Sequence, residues 1–330
     1  MLTNEKVKKI MVYLFIGYMI AQPLFDIFWL YSDNLIAIFK FSPSTIIRMI
    51  IMGILFLTSF IWLKDNRKYK VLIIASVIYI IYAIFHHLNS LNFYVPYGNF
   101  DNYSFLKEMF YLIRMIMPLL IIFITYEKKL SFKYFKMIVV YVALIFSCTM
   151  VLTNFLGVAL ASYGGGTHQI KATFFEWFLS STYSKYQYLD VASKGIFHMA
   201  NQVSGVLVCL LPILIFIYFS KPNFLHTLTL CLTILSMMML GTRVASVGWI
   251  AICVVMILIY LFFVFIKKEI ELKKNALIIF IVLMVVFIII LPYSPVMNRT
   301  YINDNSQQVE SNIEETDSKV SLKKFKKYIK

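Results

Sequence analysis

About nine stretches of the 330-residue chain run close to 20 residues with very little charge, the length an α-helix needs to cross the hydrocarbon core of a bilayer. In hydrocarbon every backbone N–H and C=O must be satisfied inside the protein, which leaves very few permitted folds. The runs fall at 10–31, 45–63, 71–89, 106–125, 135–157, 196–219, 224–241, 244–266 and 276–293. They predict an all-α fold, a polytopic transmembrane helical bundle over residues 1–293, followed by a tail of different character at 294–330. Composition agrees. The chain is 61% hydrophobic and 14% charged, against about 25% charged in soluble domains, and its mean hydropathy is +0.79.

The formal charge of +15 would suggest a nucleic-acid partner if it formed one surface patch. Its distribution excludes that reading. Basic clusters sit at Lys64/Arg67/Lys68/Lys70, Lys128/Lys129/Lys133/Lys136 and Lys267/Lys268/Lys273/Lys274, each after an even-numbered run. All three therefore share a membrane side with the lysine-bearing N-terminus, and by the positive-inside rule that side is the cytoplasm. The loop 158–195 and the C-terminal tail are then extracytoplasmic. Lys6, Lys8 and Lys9 ahead of an apolar run resemble a signal peptide, but the run continues through Leu30 with no A-x-A cleavage pattern. It reads as an uncleaved first helix. Cys148, Cys209, Cys231 and Cys253 lie inside apolar runs with no C-x-x-C pair, so they read as small buried fillers, with neither a disulfide nor a metal site implied.

The loop 158–195 carries Gly164-Gly165-Gly166, which lacks the G-K-[ST] of a phosphate loop and reads as a flexible lead-in. After it come Phe174, Phe175, Trp177 and Phe178, then Tyr183, Tyr186 and Tyr188. Such density predicts an interfacial segment on the outer leaflet, with sugar stacking as the sharper alternative. In the tail, Asn303 to Ser318 is polar and acidic and the last residues are basic.

Charges within or near the runs are few: Asp26, Arg48, Glu108 and Arg114. Glu108 and Arg114 are six residues apart and do not face each other on one helix. Pairing between helices, or snorkelling by the arginines, explains them structurally; a polar cavity or proton path is the functional reading. No paired carboxylates at acid/base spacing and no Ser/His/Asp arrangement can be argued. His86 and His87 close the third run, His168 lies in the outer loop and His198 opens the sixth run.

The most specific charge is Arg243. A central charged side chain costs roughly 3 kcal/mol on insertion scales, so it escapes to the interface or faces a protein-lined cavity. Leu225–Leu240 and Val244–Ile266 meet at Arg243 with almost no loop, which puts the guanidinium at a helix-hairpin tip among small residues. An anion is the expected ligand there.

Gly195-Ile196-Phe197-His198-Met199-Ala200-Asn201 opens the sixth run, and Gly241-Thr242-Arg243 closes the seventh, with Gly248 beyond it. This pairing resembles the O-antigen ligase and polymerase superfamily of membrane glycosyltransferases. Its members often show G-x-F-x-x-x-N at one helix start and [GS]-[ST]-R followed by a small residue one helix later. The resemblance covers roughly residues 190–300. It implies a sugar chain on a polyprenyl diphosphate at the outer leaflet, attacked at its anomeric carbon by an acceptor hydroxyl, with no cofactor. A leaving diphosphate gathers negative charge that guanidinium groups hold well. Arg243 matches the family's arginine, Arg299 the arginine that often follows the next outward span, and Lys194 stands where an arginine is common. Gly241, Thr242 and Asn201 support them.

The chain departs from the family where a large external loop with a histidine and further spans would follow. That departure is the pattern of a C-terminally truncated member, or of one completed by another gene product; the loop histidine has no counterpart, and only His198, or else His168, could stand in for it as the catalytic candidate. The implied function is polymerisation or ligation of surface polysaccharide repeat units at the cytoplasmic membrane, as in capsule and envelope assembly. The Ile/Lys/Asn/Tyr-rich composition favours polymerase over ligase. The partners implied are a polyprenyl-diphosphate-linked glycan, membrane lipid and other polysaccharide assembly proteins. Two other classes fit the same cations: a flippase of lipid-linked sugar lined by Asp26, Arg48 and Arg114, and a non-catalytic envelope-assembly partner.

Overall fold

The computed structural model describes residues 4–31, 35–36, 42–61, 66–91, 130–163, 168–269 and 271–298, with scattered residues between 105 and 124. Eight helices carry the architecture: α1 (Asn4–Ile20), α2 (Pro43–Ile61), α3 (Asn66–Ser90), α4 (Phe132–Phe155), α5 (Ala200–Ser220), α6 (Phe224–Met239), α7 (Arg243–Leu261) and α8 (Lys274–Ile290). Among the described residues the fold is all-helical, with isolated β-bridges and no strand. Among the described residues five segments are long and apolar enough to cross a membrane: Ile73–Ser90, Phe132–Phe155, Ala200–Ser220, Arg243–Lys267 and Lys274–Asn298. Lys9–Ile20, Pro43–Thr58 and Phe224–Met239 are shorter apolar helices. The fourth expected run, 106–125, falls partly outside the described residues; those described there are helical.

The first expected run, 10–31, is not one helix. α1 stops at Ile20, and the chain continues in two 3-10 turns, Gln22–Asp26 and Phe28–Tyr31. Pro23 supplies the reason, because it has no N–H to give and its ring clashes with the carbonyl four residues back.

The chain divides into two compact units, Met1–Met19 with Leu35–Phe135, and Ile20–Asn34 with Lys136–Lys330. In the first, Met11, Phe15 and Ile16 of α1 and Met52 and Leu55 of α2 are buried. α3 buries none of its span; Ile74, Ile78, Ile81 and Phe85 all face outward. A largely apolar helix with so little of its span buried among the described residues suits lipid as its solvent. Its polar side is tied down by Tyr79, which donates to the Leu112 carbonyl, and by His86 Nε2 at 2.6 Å from Glu108 Oε1.

The second unit is organised around α5, which packs on α6, α7 and α8. Trp177, Trp249, Tyr218, Phe146, Phe197 and Phe280 are the largest fully buried side chains among its described residues. Gly248 on α7 sits where an added Cβ would lie 3.3 Å from Val208 Cγ2 on α5, so a small residue lets these helices close up. A polar ladder joins α4 to α6: Ser147 Oγ and Thr233 Oγ1 are 3.1 Å apart, and Ser236 Oγ donates to the Ser147 carbonyl at 3.2 Å. At the far end of α5, Lys273 Nζ donates to the Phe219 carbonyl at 2.9 Å and the Ser220 carbonyl at 2.5 Å, closing carbonyls a helix end leaves open. Of the cysteines, Cys253 is buried as expected, Cys148 and Cys231 are half-buried, and Cys209 is exposed on the helix surface.

Candidate functional site

One end of the second unit is covered by a folded cap, residues 156–199. Its frame is non-local backbone pairing. Leu160 N donates to the Gly195 carbonyl at 2.7 Å and Ser162 N to the Ala192 carbonyl at 2.8 Å. On the other side Ala161 N donates to the His168 carbonyl at 2.8 Å, and Ile170 N to the Ala159 carbonyl at 3.0 Å. The aromatic stretch is packed rather than simply laid out on a surface. Trp177 is buried, and Phe174 contacts Phe155, Trp177 and Phe178, while Phe175 and Phe178 keep exposed faces. The Gly164-Gly165-Gly166 run lies outside the described residues.

The hairpin tip between α6 and α7 meets this cap. Gly241 has φ +62°, and an added Cβ would lie 2.8 Å from Ala192 Cβ and 3.1 Å from Tyr188 Cε2. Only glycine fits both the backbone and the space. Tyr188 OH donates to the Gly241 carbonyl at 3.3 Å, and Ser193 N to the Met239 carbonyl at 2.8 Å. Thr242 is the N-cap of α7: its Oγ1 accepts from Ala245 N at 3.2 Å and lies 2.8 Å from Ser204 Oγ on α5. Arg243 is then the first residue of the helix and is exposed. Among the described residues no acceptor holds its guanidinium. The helix dipole disfavours a cation here by about 0.3–1 kcal/mol, while the first amides of any helix have no intrahelical acceptor. An anion at this position answers both.

Lys194 and His198 form a second, more buried group. Lys194 is 7% exposed; its Nζ donates to the His198 carbonyl at 3.0 Å and lies 5.7 Å from the Phe28 ring centroid. Burial pushes its pKa down. The His198 ring stacks on Tyr31 at 4.1 Å, its backbone N donates to the Asp26 carbonyl at 2.8 Å, and its Nδ1 is buried without a partner among the described residues. Burial, then the Lys194 charge, lowers its pKa against the opposing pull of Asp26, so the ring is neutral at neutral pH. Tyr31 OH donates to Asp26 Oδ1 at 3.3 Å. Gly195, φ +64°, passes so close to α4 that an added Cβ would lie 3.0 Å from Met150 Cγ.

A third group was not visible as a motif. His168 Nε2 and Lys171 Nζ each lie 3.0 Å from Asp190 Oδ1, and Gln187 N donates to Asp190 Oδ2 at 3.3 Å. Burial raises the Asp190 pKa, but the bonds from His168, Lys171 and Gln187 outweigh it and the net shift is downward. The only sequence signal was one histidine and one aspartate in the same loop, 22 residues apart. This is a carboxylate-oriented imidazole, the geometry of a proton-accepting group. Asp190 shares its helical turn with Tyr188, which touches Gly241.

The structure thus puts Lys194, His198, Asn201, Gly241, Thr242 and Arg243 at one end of one unit, with Tyr163 OH reaching Asn201 Oδ1 at 3.1 Å. Lys194 and His198 touch, and Thr242 reaches Ser204 on the helix that carries Asn201. Arg299 and Arg114 lie outside the described residues. Glu108 pairs with His86, in the other unit.

Spanning helices with a folded cap over a cation-bearing end define a multi-pass membrane protein. The chain belongs to the O-antigen ligase like membrane protein family, whose model matches residues 4–328. Neither the curated proteins nor the solved structures contain a significant match to it.

Proposed function

We propose that this protein transfers a glycan from a polyprenyl diphosphate to a hydroxyl of an acceptor glycan, extending a surface polysaccharide at the outer face of the cytoplasmic membrane. The observation that carries the reading is Arg243: an exposed guanidinium with no acceptor among the described residues, at the N-terminus of α7, in a family described as O-antigen ligase like. The acceptor oxygen bonds to the anomeric carbon, the bond to the diphosphate oxygen breaks, and the departing negative charge falls to Arg243 and the first amides of α7. Lys194 adds a second, less hydrated cation. The acceptor proton goes to an imidazole nitrogen, of either the neutral His198 or the Asp190-oriented His168. The outward placing of the cap is supported by charge: Lys133, Lys136, Lys221, Lys267, Lys268, Lys273 and Lys274 crowd the other end of the same helices.

The test is Arg243→Ala at matched expression, read by the length distribution of surface glycan. Loss of one charge-assisted contact to a leaving group lowers the rate about 100-fold or more, so long chains disappear while single repeat units still reach the outer leaflet. Accumulation of lipid-linked units on the inner leaflet would indicate a flippase instead. An unchanged profile would leave an assembly role.

A further inference from the structure

At the end of the second unit opposite the cap, a cavity of about 360 Å³ opens between α5 and α7. That volume falls in the range of small-molecule sites, about 300–1,000 Å³. Its walls are Phe216, Met256, Ile259 and Phe263, and its floor is the stacked pair Phe219 and Tyr260, rings 4.1 Å apart and both buried. Phe216 and Ile259 are roughly half exposed, so the cavity opens sideways, toward what surrounds the helices. The polar residues of its lining are Ser220, Tyr260, Glu269 and Lys273.

This polar edge is built, not frayed. α7 continues as a π-helical turn, Phe262–Lys267, then reverses at Lys268 in the left-handed region, φ 55°. Glu269 N donates to the Phe263 carbonyl at 3.1 Å, and Lys273 N to Tyr260 OH at 3.0 Å. π-turns inside helices are rare and tend to mark functional sites. With Lys273 committed to the carbonyls of α5, the exposed cations next in the chain to the polar lining residues are Lys267 and Lys268 before Glu269, Lys274 after Lys273, and Lys221 after Ser220. Glu269 and Glu271 oppose them without balancing them.

We infer that this cavity binds one anionic phospholipid of the surrounding bilayer, an acyl chain between Phe216 and Ile259 and the phosphate among Lys267, Lys268 and Lys274. An apolar groove open to the bilayer would alone take any lipid; the lysine excess flanking its polar edge selects the anionic one. The site is independent of the glycan-transfer reading, since it lies at the other end of α5 and α7.

The full chain, purified and placed in nanodiscs with equal phosphatidylglycerol and phosphatidylethanolamine, is then released into detergent. Native mass spectrometry counts the lipid each molecule retains. The wild type retains phosphatidylglycerol preferentially. The double variant Lys267→Gln, Lys274→Gln lowers that retention about ten-fold, and Ile259→Trp, which fills the cavity, lowers retention of both lipids. Equal retention of the two lipids, preference for phosphatidylethanolamine, or retention unchanged by Ile259→Trp would each overturn the assignment. The wild-type comparison stands even if a variant does not fold.

Discussion

Gly241 shows how tightly the residue-scale geometry is set. A left-handed backbone costs a non-glycine residue about 1–2 kcal/mol, and here the Cβ would also overlap Ala192. Gly241→Ala should therefore lose at least about 2 kcal/mol of stability, seen as a lower Tm in detergent. A Tm equal to wild type would mean that the tip can move away from the cap. Asp190 gives a prediction of opposite kind, in pH. Its carboxyl is held below the ordinary aspartate value, near 3.9 in an unfolded chain. The stabilisation is therefore fully present above that value and fades as pH falls through the depressed folded one. Asp190→Asn should melt lower than wild type at neutral pH, with the gap closing in acid below about pH 4. A gap that stays constant into strong acid would rule out ionised Asp190 as the source. Both residues act at a distance in sequence: Gly241 through Ala192, Asp190 through His168.

At the scale of elements, hydropathy alone located most helices, because a spanning helix must be apolar for its whole length. The runs 45–63, 135–157 and 276–293 differ from α2, α4 and α8 by a few residues at each end. Where the run hid a break, as in 10–31, the proline marked it but hydropathy did not. The cap was the least legible element. Its frame joins Leu160 to Gly195 and Lys171 to Asp190, pairs that no local pattern announces. The site was legible in part: Gly195, Gly241, Thr242 and Arg243 stood out as a motif, and the structure explains the glycines by positive φ and close packing. His168 with Asp190 was missed because the pair forms only when the loop folds. The small residue at Gly248 has a purely structural reason, the approach of α7 to Val208 on α5. Gly248→Leu should force the two helices apart and lower stability by about 1–3 kcal/mol, measured by thermal unfolding. A Leu absorbed without change in Tm would show that the interface is slack.

For the whole molecule the central question is which way it faces. The helices of the second unit gather seven lysines at one end and, at the other, the cap, whose charges are mixed: Lys171, Glu176, Lys185, Asp190 and Lys194. The insertion machinery keeps basic connections on the cytoplasmic side, which predicts that the cap faces out. Glycan transfer requires that orientation, because the proposed acceptor is an external chain; the reverse would leave Arg243 facing the cytoplasm. The four native cysteines sit in apolar helices, so a membrane-impermeant maleimide meets little background. Ser181, exposed in the cap, and Glu271, exposed in the α7–α8 connection, report the two ends. In intact cells, Ser181→Cys should label and Glu271→Cys should not, until the membrane is permeabilised. The opposite pattern would invert the topology and remove the outer-face reading of Arg243, whatever its contacts. Labelling of both in intact cells would mean a leaky preparation or two orientations, and comparing the two yields separates these. With the expected pattern, the exposed guanidinium, the buried lysine and the His168–Asp190 pair all lie on the outer face, as the proposed transfer requires.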